Sequence, residues 1–573
     1  MPPNTPDASN FTDLERLFAL AEAGGPNAAK AARRAAALAE TRDPMRARHA
    51  LTLAAKLEPL DPAPRLALAR LKAEAGETAA ARSEAEAILA DAIDQAARAR
   101  AAFMLGELAR VENDRAAARA AYHTTLQIED ALLAANRSDA AAARWYARAR
   151  GRLADLDLAE GQPARARTGA EGALALLRAS AAQTGEPPVL AADIADAEQR
   201  LGALDLDAGD APAARRRFGE AIGRYEALML TEPNEPHWRA VLADTWALAA
   251  EADLARDAHS QARAAMDKAL ALRVKLANAF ASERWALAAT WRLRAALLAA
   301  IGDAKGAADS LAQGRTLGEH FCAERPGDEA PARFLVHTTL DEADHALRTG
   351  NIARAKDAAD AARVRAEAFA RADGASSIWL GEVGACWDRL GEVARQAKAN
   401  SIDAFARAAE FRRLARDAAP DDAAHQQRLS AALIKYGCAA LDLGEPNTAR
   451  RVLEEAANLR LAFAEAHPGD AAAAYDLAIA LDHLGYAAQA QGDRETARHV
   501  WEDELALAER LFPEEYDSEG QRFRAVIEAH LAGLGGVHAQ DYRANALRRL
   551  DTLAKDGALT ERDAALRKRL WRP

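Results

Sequence analysis

Three side chains that commonly bind metals recur at helical spacing in the middle of the chain: His337, Asp341 and His345. Imidazole and carboxylate groups are ordinary zinc ligands, and residues four apart share a helix face. A straight helix spreads these residues over ~12 Å, however, which is too far for one ion to bind all three. Polar residues on a groove-facing helix explain the triplet equally well, so we predict no metal site here.

The rest of the chain lacks the common motifs that hold phosphate, a dinucleotide or a catalytic metal. It contains no GxxxxGK[ST], no GxGxxG after a strand, no HExxH, no GxSxG and no kinase signature. The three cysteines, Cys322, Cys386 and Cys438, form no CxxC and outline no disulfide framework, which is compatible with a reducing cytoplasm. We therefore predict a cytoplasmic protein that is not an enzyme and has no cofactor.

Charge and hydropathy disfavour further classes of function. The 573 residues carry a formal net charge of −11, and this acidic balance lacks the basic stripe that nucleic-acid binding needs. No apolar run approaches ~18 residues, so no membrane span is predicted. No basic segment followed by an apolar core opens the chain, so no secretory signal is predicted. Half of the residues are apolar but only 5% are aromatic, which suits long, alanine-rich helices in close contact.

The chain is organised around one recurring stretch, best seen as LGYAAQAQGDRETARHVW at residues 484–501. Gly492 suits the left-handed conformation that ends a helix, and the aspartate after it can cap the next helix. Gly485 lets a neighbouring helix approach closely, while Ala497 and Trp501 lie four apart on one helix face. The stretch predicts a helical hairpin, which cannot bury its apolar face alone and must stack on copies of itself.

Three features of this hairpin recur at a shared period. The glycine of the turn recurs at Gly76, Gly161, Gly209, Gly302, Gly350 and Gly444, and turns without glycine are expected at Asn113 and Asp257. The glycine of the Leu-Gly pair recurs at Gly106, Gly202, Gly391 and, after a tyrosine, Gly437. The alanine equivalent to Ala497 recurs at Ala81, Ala118, Ala166, Ala214, Ala262, Ala307, Ala355, Ala404 and Ala449. After a first interval of 37 residues the intervals are 45 to 49, so one repeated unit is predicted.

These residues resemble the tetratricopeptide (TPR) repeat, in the extended form with units of about 48 residues found in bacterial arrays. One clear copy of the family pattern reads Leu201, Gly202, Gly209, Ala214, Phe218 and Ala221. Proline linkers like those of the extended form occur at Pro233-Asn234, Pro420-Asp421 and Pro468-Gly469, with a further break at Pro513. The resemblance spans about residues 62–550 and implies an all-α fold, an α-solenoid in which TPR-like hairpins form a right-handed superhelix.

Changes in unit length divide the chain into four predicted segments. Residues 1–26 form a tail and a short capping helix, and residues 27–137 hold repeats of near-standard length. Residues 138–535 hold the extended repeats. Residues 536–573 form C-terminal capping helices, with Thr560 as the N-cap of the last one.

The resemblance also implies a concave groove, lined by the first helix of each hairpin, that binds a protein or peptide partner. The family's groove positions hold the acids Asp155, Asp196, Asp244, Glu251, Asp344, Asp388, Glu392 and Asp482 and the bases Arg148, Arg292 and Arg395. The acids favour a basic or mixed-charge partner. Family members that grip the acidic tail of a chaperone use lysine and asparagine at fixed inner positions, which this chain does not match.

We therefore predict an interaction scaffold or adaptor that binds neither nucleic acid nor membrane. The alternative is a regulator that senses a ligand or peptide, changes the shape of its superhelix and acts on a separate effector chain. The sequence leaves the partner's identity and the oligomeric state open.

Overall fold

A computed structural model describes residues 8–39, 43–233, 235–372, 374, 376–420, 422–512 and 517–571. Within these ranges the chain forms 26 α-helices and one short 3₁₀ helix, and no strand. The all-α prediction is therefore confirmed. The chain divides into two compact units, Met1–Thr290 (unit 1) and Trp291–Pro573 (unit 2).

Unit 1 is a stack of helices in which each helix packs against the next. Its helices are α1 (Ala8–Glu22), α2 (Ala28–Ala39), α3 (Pro44–Leu57), α4 (Pro62–Glu74), α5 (Thr78–Asp91), α6 (Gln95–Val111), α7 (Arg115–Ala135), α8 (Ala140–Ala159), α9 (Pro163–Thr184), α10 (Pro188–Asp207), α11 (Ala211–Thr231), α12 (Pro236–Ala255) and α13 (His259–Ala279). A 3₁₀ turn, Ala281–Glu283, leads into α14 (Arg284–Ala300), within which the division between the units falls.

Unit 2 repeats the same plan. Its helices are α15 (Ala304–Glu324), α16 (Glu329–Arg348), α17 (Ile352–Ala372), α18 (Ser377–Gln396), α19 (Ile402–Ala418), α20 (Ala423–Asp442), α21 (Pro446–Ala466), α22 (Ala471–Ala490), α23 (Arg494–Leu511), α24 (Ser518–Gly533), α25 (Ala539–Lys555) and α26 (Glu561–Trp571). From α4 onward the even-numbered helix opens a hairpin and the odd-numbered helix closes it. Among the described helices, none combines the length and apolarity needed to cross a lipid bilayer.

The glycine of the Leu-Gly pair is where the two helices of a hairpin nest. A Cβ added to Gly485 would lie 2.3 Å from the indole nitrogen of Trp501, and one added to Gly202 would lie 2.6 Å from the ring of Phe218. The same close approach occurs at Gly106, Gly391 and Gly437. These distances are far below van der Waals contact, so any side chain there would force the helices apart. The close approach predicted at Gly485 is confirmed.

The hairpin turns take the left-handed backbone conformation expected of them. Gly492 has φ 82° and Gly209 has φ 81°, values that side chains disfavour. Where the sequence lacks glycine, Asn113 (φ 59°) and Asp257 (φ 56°) take the same conformation, as does Lys398 (φ 54°) in the turn before α19. The turns expected at Asn113 and Asp257 are therefore confirmed.

One repeat position was assigned incorrectly from the sequence. Phe405 packs on Gly391 in the way that Trp501 packs on Gly485. The residue four before Phe405 is Ser401, which is buried, so Ser401 and not Ala404 is the equivalent of Ala497. The abundance of alanine in the second helices explains the error.

The last helix begins at the N-cap that the sequence predicts. Thr560 caps α26: its hydroxyl accepts a hydrogen bond from the amide of Asp563 at 3.2 Å, and the Asp563 carboxylate accepts one from the Thr560 amide at 2.9 Å. This is a reciprocal capping box. Residues 1–7 of the expected tail and the linker residues Asn234, Asp421 and Pro513 lie outside the described residues.

Candidate functional site

First helices of successive hairpins lie side by side in both units. In unit 1, α4, α6, α8, α10 and α12 contact one another in sequence, and in unit 2 contacts join α16 to α18 and α20 to α22. All of the predicted groove residues lie on first helices. The shared face of these helices, which we call the first-helix face, is therefore the candidate site in each unit.

A repeating side-chain pair joins neighbouring first helices, and we call it a rung. The small residue of a first helix is the glycine of its Leu-Gly pair or the alanine that takes the place of that glycine. In a rung, the residue directly after the small residue of one first helix contacts a residue of the next first helix. That second residue lies two positions before the small residue of its own helix. The described residues contain five rungs: Glu107–Arg152 at 2.8 Å, Asp155–Arg200 at 2.7 Å, Asp344–Arg389 at 2.6 Å, Glu392–Lys435 at 3.5 Å and Cys438–His483 at 3.6 Å. Much of the acidic charge expected to face a partner is therefore already paired within the chain.

The fifth rung is a neutral pair. Burial raises the pKa of the Cys438 thiol to about 11 and lowers the pKa of His483. Both shifts favour the uncharged forms. A thiol with so high a pKa is a poor nucleophile at neutral pH, so this contact packs two helices together and offers no reactive thiolate.

In unit 1 the other predicted groove residues meet different partners. Asp196 accepts a hydrogen bond from the Tyr225 hydroxyl, and Asp244 pairs with Arg273. Arg148 pairs with Asp193 at 2.8 Å and also stacks over the ring of Trp145 at 5.0 Å, where the attraction of a cation to an aromatic face adds to the ion pair.

Glu251 is different, because it forms no ion pair with any described basic side chain. Its pKa is raised by burial and by the nearby charge of Asp207, which also lacks a described basic partner. The charge of Asp207 on α10 thus acts on Glu251 on α12, and neither carboxylate has a described basic partner. A cation supplied from outside the chain would be attracted to both.

In unit 2 the predicted groove residues also find partners within the chain. Arg292 pairs with Asp341 at 2.7 Å, and Asp482 lies 3.3 Å from His530. Glu392 also contacts Arg395 at 2.5 Å, and Asp388 lies 3.9 Å from Arg412. Burial raises the pKa values of both Asp388 and Asp344, although neighbouring cations act in the opposite direction.

The metal-type triplet does not converge. His337 contacts Glu382 at 2.8 Å, Asp341 pairs with Arg292, and burial lowers the pKa of His345. The three side chains thus have different partners or surroundings along α16. Among the described residues no group of three or more His, Cys, Asp or Glu side chains is arranged to hold a metal ion.

Two adjoining cavities open on the first-helix face of unit 1, and they share Arg152, Asp196 and Arg200. The smaller is about 170 Å³ and reaches the apolar side chains of Phe103 and Leu177. The larger is about 340 Å³ and is lined by Leu158, Leu204 and Leu248 together with charged residues. The combination of apolar walls and fixed charges is typical of surfaces that hold a partner's side chains.

A buried polar cluster in the last full repeat was missed from the sequence. Glu504 lies in α23 at the position that holds alanine, glycine or threonine in most other hairpins, and it is 1% exposed. Burial and the nearby Asp482 raise its pKa to about 9. His530 contacts the Tyr486 hydroxyl at 2.7 Å and lies 5.0 Å from the ring of Trp501. A glutamate replacing a small residue of the repeat was the signal that could have revealed it.

Comparisons with known proteins show likeness of structure only. No protein-family model matches the chain, and no curated protein is similar to it in sequence. Yeast Tom70 is similar over 99% of this chain and 100% of its own, at 13% identity and TM-score 0.39. The structure of the APC/C hetero-tetramer Cut9-Hcn1 is similar over 98% of this chain and 92% of its own, at 14% identity and TM-score 0.30. BtubC from P. vanneervenii is similar over 45% of this chain and 94% of its own, at 17% identity and TM-score 0.36.

The rungs predict a measurable coupling between neighbouring hairpins. In a double-mutant cycle, Asp155→Asn and Arg200→Gln should show a coupling free energy of about 0.2–1 kcal/mol, because the pair is partly exposed and screened by water. Urea unfolding of the single and double variants measures it. Pairing Asp155→Asn with Arg224→Gln, which contacts other residues, is the control and should give additive effects. Zero coupling in both cycles would mean that the rung does not tie the two helices together.

Proposed function

We propose that the chain is a non-enzymatic interaction scaffold that holds a protein or peptide partner on the first-helix face of unit 1. The observation that carries the proposal is the position of Glu251 and Asp207. Each lies three residues after a leucine that lines the larger cavity, Leu248 on α12 and Leu204 on α10. One face therefore offers an apolar recess and, beside it, two acids without a described cation.

This arrangement favours a basic or mixed-charge partner segment. An apolar side chain of the partner would fill the recess between Leu158, Leu204 and Leu248, and a lysine or arginine beside it would meet Glu251 and Asp207. Bringing a cation to two carboxylates that repel each other relieves that repulsion, which strengthens binding beyond a single surface ion pair. The net charge of −11 would also speed the approach of a basic segment at low salt.

The remaining parts of the proposal follow the sequence. The chain is an extended, bacterial-type TPR array with four segments (1–26, 27–137, 138–535 and 536–573), works in the cytoplasm and binds no nucleic acid. The other predicted groove residues of unit 1, Asp155, Asp196 and Asp244, contribute contacts after their rungs or hydrogen bonds have rearranged around the partner, while those of unit 2 (Arg292, Asp344, Asp388, Glu392, Arg395 and Asp482) lie on the first-helix face of that unit. What supports this is their placement on first helices, where neighbouring hairpins meet.

We expect the double variant Glu251→Gln, Asp207→Asn to bind the partner more slowly and with weaker dependence on salt, because it removes two charges that attract a basic segment. A photo-crosslinking residue at position 199, in the wall of the larger cavity, identifies the partner in the native cell. Association of the purified partner is then measured at two salt concentrations.

The matched control is Glu226→Gln, which removes a charge from an exposed position on α11, a second helix. It should leave the association rate within about twofold of that of the wild type, because a single distant surface charge is screened. Equal association rates and equal salt dependence in all three proteins would remove the acids of unit 1 from the interface.

A further inference from the structure

Three second helices carry an arginine at the same place in the repeat. Each lies eleven residues after the equivalent of Ala497: Arg273 after Ala262, Arg412 after Ser401 and Arg460 after Ala449. All three arginine side chains are largely buried, at 7%, 12% and 12% exposure. A buried guanidinium is costly unless it is neutralised, so the three sites can be compared with one another.

Two of these arginines have close partners. Arg273 pairs with Asp244 and, at 2.9 Å, with Glu283. Arg460 lies 3.4 Å from the carboxylate of Asp476 and donates a hydrogen bond to the Ser430 hydroxyl at 3.1 Å.

Arg412 has no comparable partner. Its nearest described carboxylate, Asp388, lies 3.9 Å from Nη2, and its buried Nε has no hydrogen-bond partner among the described residues. The sequence explains the difference. Asp244, which pairs with Arg273, lies on α12 six residues before Ala250, the small residue of that helix. The equivalent position on α18, six residues before Gly391, is Ala385, which has no carboxylate.

The surroundings of Arg412 include two further basic residues and two glycines of α18. Its side chain lies over Gly384 and Gly381, where the guanidinium Nη1 and the ring of His425 each come within 3.7 Å of the place a Gly381 Cβ would occupy. His425 is 4% exposed; its Nδ1 also has no described hydrogen-bond partner, while its Nε2 lies 3.6 Å from the carboxylate of Asp422. The exposed Arg428 follows one turn later on α20.

Three acids, Glu382, Asp388 and Asp422, lie near this group, and none has a described hydrogen bond to Arg412. Glu382 already contacts His337 and Arg333. Burial lowers the pKa values of Arg412 and His425, and Arg428 lowers both further. Asp388 faces Nη2, which leaves the Nε and Nη1 side of the guanidinium, over the two glycines, without an acidic partner.

We infer that Arg412, His425 and Arg428 form a binding site for one oxyanion, a carboxylate or a phosphate group, between α18, α19 and α20. The incoming anion takes the place of the carboxylate that Asp244 supplies to Arg273. Guanidinium binds both anion classes through charge-assisted hydrogen bonds, and a partly buried position strengthens those bonds. This site belongs to unit 2 and does not depend on the partner proposed for unit 1.

The test is thermal unfolding of the full chain with sodium phosphate or sodium acetate replacing sodium chloride at constant pH and ionic strength. The wild type should show a saturable rise in Tm with at least one of the two anions. A response to phosphate alone indicates a phosphate ligand, and a response to acetate indicates a carboxylate. Specific binding saturates, whereas general salt stabilisation does not.

Three variants locate the effect. Ala385→Asp restores the missing carboxylate within the chain, so it should raise Tm in chloride and abolish the response to the anions. Arg412→Gln should also lose the response, while Arg460→Gln, which alters the equivalent arginine with its own partners, should keep it. A response of equal size in wild type, Ala385→Asp and Arg412→Gln, a loss of response in Arg460→Gln, or no saturable rise in the wild type would each overturn the site.

Discussion

Replacing Glu504 with alanine is expected to raise the free energy of unfolding at pH 8 by several kcal/mol. In the folded chain the carboxyl is 1% exposed, and one of its oxygens has no described hydrogen-bond partner. Burial and Asp482 hold its pKa at about 9, against an ordinary value of 4.5. Each unit of such a shift corresponds to ~1.4 kcal/mol, so a net gain of about 2–4 kcal/mol remains after the lost packing of the side chain is subtracted.

The sign of the pH dependence follows from the raised pKa. Between pH 4.5 and about 9 the folded chain keeps a proton on Glu504 that the unfolded chain releases. Rising pH therefore favours the unfolded state, and the stability present below pH 4.5 is lost progressively up to about pH 9. The wild type should be less stable at pH 8.5 than at pH 6, and Glu504→Ala should reduce that difference.

Urea unfolding at the two pH values, followed by circular dichroism, measures this effect. Glu509→Ala is the matched control, because it makes the same change at an exposed position on the same helix. It should leave the pH dependence as in the wild type. If Glu504→Ala is no more stable than the wild type at pH 8.5, Glu504 is not held in its protonated form by burial.

The second large effect is expected at Gly202. Gly202→Ala places a methyl group 2.6 Å from the ring of Phe218, so α10 and α11 must separate, at a cost of about 1–3 kcal/mol. The same substitution at Gly223, also helical but with open space around its Cβ position, should instead stabilise the chain by about 0.5–1 kcal/mol. The two variants lie in the same hairpin and should therefore change the free energy of unfolding in opposite directions.

Hydrogen exchange measured along the chain distinguishes local from general effects. In a stack where each hairpin contacts only its neighbours, protection lost in Gly202→Ala should be concentrated in α8 to α13. A uniform loss of protection from α2 to α26 would indicate that unfolding is cooperative over the whole chain. Equal stabilities for Gly202→Ala and Gly223→Ala would show that Gly202 is not needed for close approach.

The hairpins could be predicted because their causes are local. A Leu-Gly pair, a turn glycine and a small residue four before an aromatic are visible at short range, and Gly485, Gly492 and Trp501 behave as their types require. Ser401 was missed in favour of Ala404 because composition made alanine a poor marker. The aromatic Phe405, which is rarer, identifies the position correctly.

The electrostatics of the first-helix face could not be predicted in the same way. Asp155 and Asp344 lie at the expected positions, but the arginines that pair with them come 45 residues later. Whether an acid meets an arginine 45 residues further along the chain depends on the length of the intervening hairpin and on the rotation of the next helix. The sequence therefore indicated acids facing a groove, while the folded chain shows acids tied to the following repeat.

The rungs have a consequence for how such a chain can evolve. The α8–α9 and α18–α19 hairpins each carry an acid that pairs with the next hairpin and a base that pairs with the preceding one, so the two edges of each are complementary. Removing the α18–α19 hairpin as a whole would bring Asp344 opposite Lys435 in place of Arg389, and opposite charges would still meet. Loss or duplication of either of these hairpins as a whole therefore places opposite charges at the new junction again, so the length of the array can change there without leaving a rung residue unpaired.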